Sequence, residues 1–396
     1  MKYSKLFLGF MLLLTACVYD PEPFEDHSEG DSASSTTSDI GSVYPVNTGK
    51  QICNPSVSQD TVNFPGSMLW LNFSGKLVVD GDSGYTTTQV AQHDRLTVSN
   101  KNNKVLWFLM VDSVAGECQF QDPEWSTHPN YLVALRAYDI NGSASCRTLD
   151  YGIFAVRTFD KERFWFYDSD ISEFATPHLW VDPDAGEVDS SDTKTLQGFF
   201  GTKNVRLTYV NKDKEIVFVD MSKDSKGLGK NQKGVKLKKP SNRKDWSIDS
   251  PLISPDGNFV VYNMLSGATT WEAYVQELSE DALPVLVEQS SGMLSAPAQP
   301  HWFKTGDRLF VEWAEFPAGS QMLNKNDLAK ESVQNGSVGR TAMRQIMLTA
   351  GGALDIAVEW VGDVREIAPV PTTGGRSPDS RYLATGTDLG FVIELP

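Results

Sequence analysis

From about residue 50 onward the apolar residues come in short runs, with Gly, Asp, Asn, Ser and Pro between them. Clear runs are Leu69–Leu71 with Leu77–Val79, Val105–Val111, Tyr131–Ala137, Ile153–Val156, Arg163–Tyr167, Val205–Val210 and Ile216–Val219. Others are Phe259–Tyr262, Ala273–Leu278, Leu309–Trp313, Gln345–Leu348 and Phe391–Leu395. They are rich in β-branched and aromatic residues and are bounded by turn formers, which predicts strands. Long stretches with apolar residues at helical spacing are nearly absent. Many short strands with few helices predict an all-β sandwich, barrel or propeller.

A repeat decides among these. Ser254-Pro255-Asp256-Gly257-Asn258 leads into the run Phe259–Asn263, and Arg376-Ser377-Pro378-Asp379-Ser380-Arg381 leads into Tyr382–Gly386. Pro300-His301-Trp302-Phe303-Lys304-Thr305-Gly306-Asp307 precedes Arg308–Trp313, and Pro123-Glu124-Trp125-Ser126-Thr127-His128-Pro129-Asn130 precedes Tyr131–Ala134. Pro fixes φ, Asp bonds back to nearby amides and Gly supplies a positive φ, so each copy encodes a turn that launches a strand. The pattern resembles the TolB-like propeller repeat, P-x-W-S-P-D-G followed by a strand, found in exported bacterial proteins. Only residues 254–257 keep S-P-D-G intact.

The resemblance implies an all-β fold: a single β-propeller of four-stranded blades. Copies start near 123, 251, 299 and 374, and blades of ~40–50 residues give six blades, with seven also fitting. Two blades without a motif are expected within 160–250 and one near 60–112, with an insertion at about 317–343. A strand from one terminus is expected to complete the blade that contains the other, because an open last blade would leave an unpaired edge.

The N-terminus reads differently. Lys2 and Lys5 precede the apolar stretch Leu6–Leu14, which is shorter than the ~20 residues that span a bilayer. Leu14-Thr15-Ala16-Cys17 follows and resembles the lipobox of bacterial lipoproteins, in which the chain is cut before a cysteine whose thiol carries the lipid. Residues 18–50 hold seven carboxylates and one cationic side chain, Lys50, with much Ser, Thr and Pro. Such a segment buries too little apolar surface to offset its ordering entropy. The expected organisation is a signal peptide at 1–16, a lipidated Cys17 and acidic tether at 17–54, and a propeller at 55–396. Val18 stands where the lipoproteins this resembles often carry an inner-membrane retention Asp, which implies the outer membrane.

The formal charge of −16 argues against general nucleic-acid binding. Besides Cys17 there are Cys53, Cys118 and Cys146. An exported compartment permits disulfides. Cys118 and Cys146 are expected toward opposite ends of strand 131–138, ~26 Å apart at ~3.3 Å per residue, which disfavours their pairing unless a loop folds back.

The chemical motifs are sparse. Gly81-Asp82-Ser83-Gly84 reads as a turn, and no G-x-S-x-G elbow or H-E-x-x-H occurs. Asp182-Pro183-Asp184-Ala185-Gly186-Glu187 fails the calcium-loop spacing, since Gly186 stands where the fifth-position oxygen ligand should be. No cofactor is expected. Trp125, Trp302 and Trp313 fall on repeat positions and are expected in the core, while Trp165, Trp180 and Trp271 are less constrained. One feature stands apart: Lys223, Lys226, Lys230, Lys233, Lys236, Lys238, Lys239, Arg243 and Lys244 place nine cations within 22 residues. A basic loop of this kind suits an anionic partner. Together these features predict a membrane-tethered propeller acting as a binding or scaffold module in the cell envelope, with an envelope protein or glycan as partner. The alternatives are an exported hydrolase acting on polysaccharide and a sugar-binding surface lipoprotein.

Overall fold

The computed structural model describes residues 36–38, 41–49, 52–72, 93–142, 146–167, 171–223, 234–266, 270–289, 297–306, 308–315, 340–348, 356–360, 373–379, 381–386 and 390–394. Their strands are β1 (Thr36–Ser38), β2 (Gly41–Pro45), β3 (Ile52–Val57), β4 (Ser67–Asn72), β5 (Arg95–Asn100) and β6 (Val105–Met110). Then come β7 (Glu117–Trp125), β8 (Tyr131–Asp139), β9 (Leu149–Arg157), β10 (Arg163–Tyr167), β11 (His178–Val181), β12 (Val205–Val210), β13 (Ile216–Asp220) and β14 (Val235–Lys236). The remainder are β15 (Ser247–Ile253), β16 (Phe259–Ser266), β17 (Thr270–Glu277), β18 (Val285–Gln289), β19 (Pro297–Thr305), β20 (Arg308–Glu315), β21 (Arg340–Leu348), β22 (Ile356–Trp360), β23 (Thr373–Arg376), β24 (Tyr382–Gly386) and β25 (Gly390–Glu394).

These strands form six antiparallel sheets. Blades one to five are β3–β6, β7–β10, β11–β14, β15–β18 and β19–β22, each in sequence order from the innermost strand outward. The sixth runs β23-β24-β25 and is completed by β2 and then β1. Ser42 to Pro45 pair with Glu394 to Phe391, so the N-terminal strand closes the C-terminal blade as expected.

Burial explains why the strands read as continuous apolar runs rather than alternating ones. Successive side chains of a strand point to opposite faces, and here both faces of a blade are covered. On β8, Tyr131, Val133 and Leu135 pack against blade three with Leu179, Val205 and Leu207. The intervening Leu132 and Ala134 pack against blade one with Leu69, Leu96 and Val98. On β16, Val260, Tyr262 and Met264 face blade three, while Phe259 and Val261 face blade five. Each such Val or Leu contributes about 1.5–3 kcal/mol on full burial, so a charge at any of them would open an interface between blades.

All four sequence motifs occupy one structural position, the hairpin joining a blade's first strand to its second. At Ser254 the side chain bonds Asp256, accepts from Phe259 N at 3.0 Å, and its carbonyl accepts from Gly257 N at 2.8 Å. Ser377 repeats this with Asp379 at 2.6 Å and Tyr382 N at 3.0 Å. Gly257 is needed twice over: its φ is +76°, and a Cβ there would lie 2.6 Å from the Trp180 ring of the preceding blade.

Several expectations are corrected. Residues 160–250 hold one motif-poor blade, β11–β14, rather than two, because the first hairpin of that blade carries the insertion between Val181 and Val205. The first and third blades have degenerate turns: Ser58-Gln59-Asp60, with Asp60 N bonded to Ser58 Oγ at 3.0 Å, and Asp182-Pro183-Asp184, with Ala185 N bonded to Asp182 O at 3.0 Å. Strand β2 lies before residue 55 and β3 spans it, the two pairing with β25 and β4. Cys118 and Cys146 are disulfide-bonded, Cα to Cα 5.8 Å. Cys118 lies on β7, antiparallel to β8, so it returns to the end of β8 from which the loop bearing Cys146 leaves.

Candidate functional site: the propeller axis

The innermost strands surround the axis, and their sequence carries a second repeat. Asn54, Asp122, Thr176, Ser250 and Gln299 each have a positive φ, between 39° and 49°, and each is followed by proline. In four of these blades the pair sits at a register shift, between Cys53 and Ser56, Gln121 and Glu124, Asp249 and Leu252, and Ala298 and His301. A bulge releases one residue from the ladder and re-aims its side chain, and proline fits there because it has no N–H to offer.

Hydrogen bonds at and around these positions tie neighbouring blades together. Asn54 Nδ2 donates to Asp122 Oδ1 at 2.7 Å, and Ser56 donates to Glu124, joining blades one and two. Thr176 N reaches Asp122 Oδ2 at 3.4 Å, joining two and three. Ile253 N donates to His178 Nδ1 at 2.9 Å, and Thr208 to the Pro251 carbonyl at 2.6 Å, joining three and four. Gln299 N donates to Asn263 Oδ1 at 2.7 Å, and Trp302 to the Leu252 carbonyl at 2.7 Å, joining four and five. Arg376 holds Glu312 through Nε and Nη2 at 2.9 and 2.5 Å, joining five and six. Gln59 reaches the Arg376 carbonyl at 3.5 Å, and Lys101 on blade one bonds Glu394 at 2.5 Å, closing six onto one.

Enclosure sets the protonation of this ring. Burial, reinforced by the charge of Asp249, pushes the Asp122 carboxyl up to about 7 against the bonds from Asn54 and Thr176. Burial pushes Glu124 up to about 8 although Ser56 favours its anion. The imidazole of His178 is lowered to about 3 by burial and then by His301, and that of His301 to about 4 by burial against the Gln299 carbonyl. Near neutral pH the axis therefore favours neutral imidazoles, and its two carboxyls hold their protons to higher pH than exposed ones do. Both Asp122 oxygens accept from protein donors, so the set forms a polar plug. Among the described residues no group of three His, Cys, Asp or Glu side chains is placed to hold a metal ion.

The residues singled out in the sequence lie elsewhere. Cys17, Lys226, Lys230 and Lys233 fall outside the described residues, as do Leu77–Val79 and Gly81–Gly84. Lys223 ends a 3-10 turn after β13. Lys236 pairs with Glu215 at 2.5 Å and Asp213 at 3.7 Å, and Lys238 with Asp281 at 3.0 Å. Lys239 donates to the Lys244 and Trp246 carbonyls at 3.3 and 3.2 Å. Arg243 grips Glu272 at 2.8 and 2.7 Å and stacks on Trp246, while Lys244 is exposed. These cations follow the outer strand of blade three toward blade four, away from the axis, and several are neutralised by carboxylates of the ring itself. Trp125, Trp313, Trp180 and Trp271 are buried, whereas Trp165 is partly exposed beneath Arg136 at 4.0 Å. The sequence motifs do not mark Asn54, Asp122, Glu124, His178 and His301 as axial residues, although Glu124 and His301 stand inside two of them. Asn54 and Asp122 stand directly before a proline, and Glu124, His178 and His301 directly after one, a few positions ahead of each turn.

No family profile and no curated protein matches this chain. Solved structures with a similar course include a provisionally named TolB from Agrobacterium tumefaciens, at 11% identity and a TM-score of 0.41, covering 93% of this chain and 100% of that one. TolB from Acinetobacter baumannii gives 12% and 0.34, covering 66% of this chain and 51% of that one. An exo-1,5-alpha-L-arabinanase from a bovine ruminal metagenomic library gives 11% and 0.36, covering 78% and 97%. Structural neighbours thus include TolB-like propellers.

Proposed function

We propose that the chain is a membrane-tethered β-propeller that acts as a binding or scaffold module in the cell envelope, held at the outer membrane through lipid on Cys17. The observation that carries the binding reading is the axis itself. Its polar groups, backbone and side chain, bond from blade to blade, which supports reading the ring as a platform for its loops. The Cys118–Cys146 disulfide supports export, because such bonds persist in oxidising compartments. The lipobox-like Leu14–Cys17 supports the tether. The exposed part of the basic segment, with Lys244 at its end, offers an anionic envelope component a contact on the rim.

A second reading, a hydrolase acting on polysaccharide, draws on one observation: Asp122 and Asp249 are close enough for one charge to raise the other's pKa. Paired carboxyls with separated pKa values are the means of glycoside cleavage. One experiment separates the two. The full-length chain and its Asp122→Asn variant are immobilised, exposed to envelope extract with cross-linking, and assayed in parallel for release of reducing sugar from envelope polysaccharide. Saturable capture of the same partner by both proteins, without sugar release, is expected. Sugar release abolished by Asp122→Asn would establish the hydrolase instead.

A further inference from the structure

Away from the axis, one recess is built by an element that ring closure does not require. Blades two and three meet there at the end of the propeller that carries the first and third hairpins of each blade. One wall is the turn of blade two, with His128, Asn130 and Tyr131; the other is Ala185 to Val188 of the insertion in blade three; Phe159, from the third hairpin of blade two, completes it. The volume is about 420 Å³, within the ~300–1,000 Å³ of small-molecule sites.

The insertion wall is fixed rather than loosely looped. Gly186 N donates to Gly201 O at 3.2 Å and Asp189 N to Gly198 O at 2.8 Å. Gly201 has a φ of +70°, and a Cβ there would lie 2.1 Å from the Gly186 carbonyl oxygen, so the two segments approach as closely as backbones allow. The short helix α1 (Leu196–Phe200), capped by Thr195, anchors the insertion through Phe199 and Phe200. Both rings pack beneath the recess against Tyr131 and Phe164. Long connections with internal structure of this kind are commonly functional.

The chemistry of the lining is specific. Among the described residues neither the Asn130 carboxamide nor the Glu187 carboxylate has a protein partner. His128 Nδ1 accepts from Asn130 N at 3.2 Å, which leaves the proton on Nε2 as a donor, and burial keeps this imidazole neutral. Phe159 shows 57% of its surface to solvent, with the Arg157 guanidinium 5.2 Å from its ring centre. A flat apolar face, a carboxylate acceptor, a carboxamide that both donates and accepts, and a neutral N–H donor suit a ligand with hydroxyls on its edge and C–H groups on its face. Glu187 disfavours an anion, and the neutral His128 and Asn130 give a cation only one counter-charge.

We infer that this recess between blades two and three binds an uncharged pyranose unit, with its C–H face on Phe159 and its hydroxyls on Asn130, Glu187 and His128. The inference needs neither the tether nor an envelope protein partner, so its failure would leave those claims standing. The test is saturation-transfer NMR on the full-length chain, with glucose, galactose, mannose and N-acetylglucosamine as probes and lysine amide and inorganic phosphate as counter-probes. At least one neutral sugar should receive saturation, and Asn130→Ala and Glu187→Ala should each weaken its binding by about tenfold, the effect of one lost hydrogen bond. Neither variant should change the melting temperature, because neither side chain bonds to the protein. Absence of signal from every neutral sugar, binding that survives both substitutions, or binding of a counter-probe alone would overturn it.

Discussion

Replacing Glu124 by Gln probes the axis with the smallest change in shape. Gln keeps an oxygen to accept from Ser56 and is neutral at every pH, as Glu124 is while protonated. The folded carboxyl is raised from 4.5 to about 8. The fold therefore binds a proton that the unfolded chain releases, and stability falls as pH rises from about 4.5 to about 8 and is level above. At ~1.4 kcal/mol per pH unit the full rise corresponds to a ceiling of roughly 5 kcal/mol. Relaxation of the surrounding protein lowers such penalties well below that ceiling, and about 2 kcal/mol is the working figure. Glu124→Gln should match the parent near pH 4.5 and exceed it by about that amount at pH 9. Urea titrations at pH 4.5, 7 and 9 read this directly. The window between 7 and 8 is the most diagnostic, because Asp122, raised to about 7, contributes its own fall mainly below it. A variant no more stable than the parent at pH 9, or equally stabilised at pH 4.5, would refute the account of a protonated, enclosed carboxyl.

His178 predicts the opposite slope: its folded pKa of about 3 lies below the unfolded 6.5, so stability is lost as pH falls through that interval, and His178→Gln should flatten acid unfolding between pH 6 and 4. Changing Cys118 and Cys146 together to Ser should cost about 3 kcal/mol, seen as an earlier urea midpoint that reducing agent reproduces in the parent. Deleting residues 1–46 removes β2 and the buried Val46 from the last blade, and should lower the melting temperature and promote association through the exposed edge of β25. An unchanged melting temperature would mean that the ring is not closed by the N-terminal strand.

Much of the ring was legible because its turns repeat. The S-P-D-G segment and its relatives each mark the hairpin between first and second strands, and continuous runs such as Tyr131–Leu135 have the composition of strands covered on both faces. Blades one and three were harder. In one the turn is stretched around Ser58 and Asp60, and in the other Asp182 replaces the serine and an insertion separates the paired strands. The disulfide is not legible from spacing, because strand pairing, not distance along the chain, decides where Cys118 lies. The axis is hidden in the sequence for a similar reason. Asp122, Glu124, His178 and His301 come from three blades and converge only when the ring closes, so their proximity has no local signature beyond a neighbouring proline. The basic segment was legible as charge, but not the carboxylates of Glu215, Asp281 and Glu272 that answer it.

The tether is the claim on which the cellular role turns, and metabolic labelling with a palmitate analogue tests it most directly. The parent should take up label and sediment with membranes, whereas Cys17→Ser should remain unlabelled and uncleaved, because a hydroxyl cannot replace the thiol as acceptor of the lipid. Label retained by Cys17→Ser, or a parent that takes up none, would contradict the account.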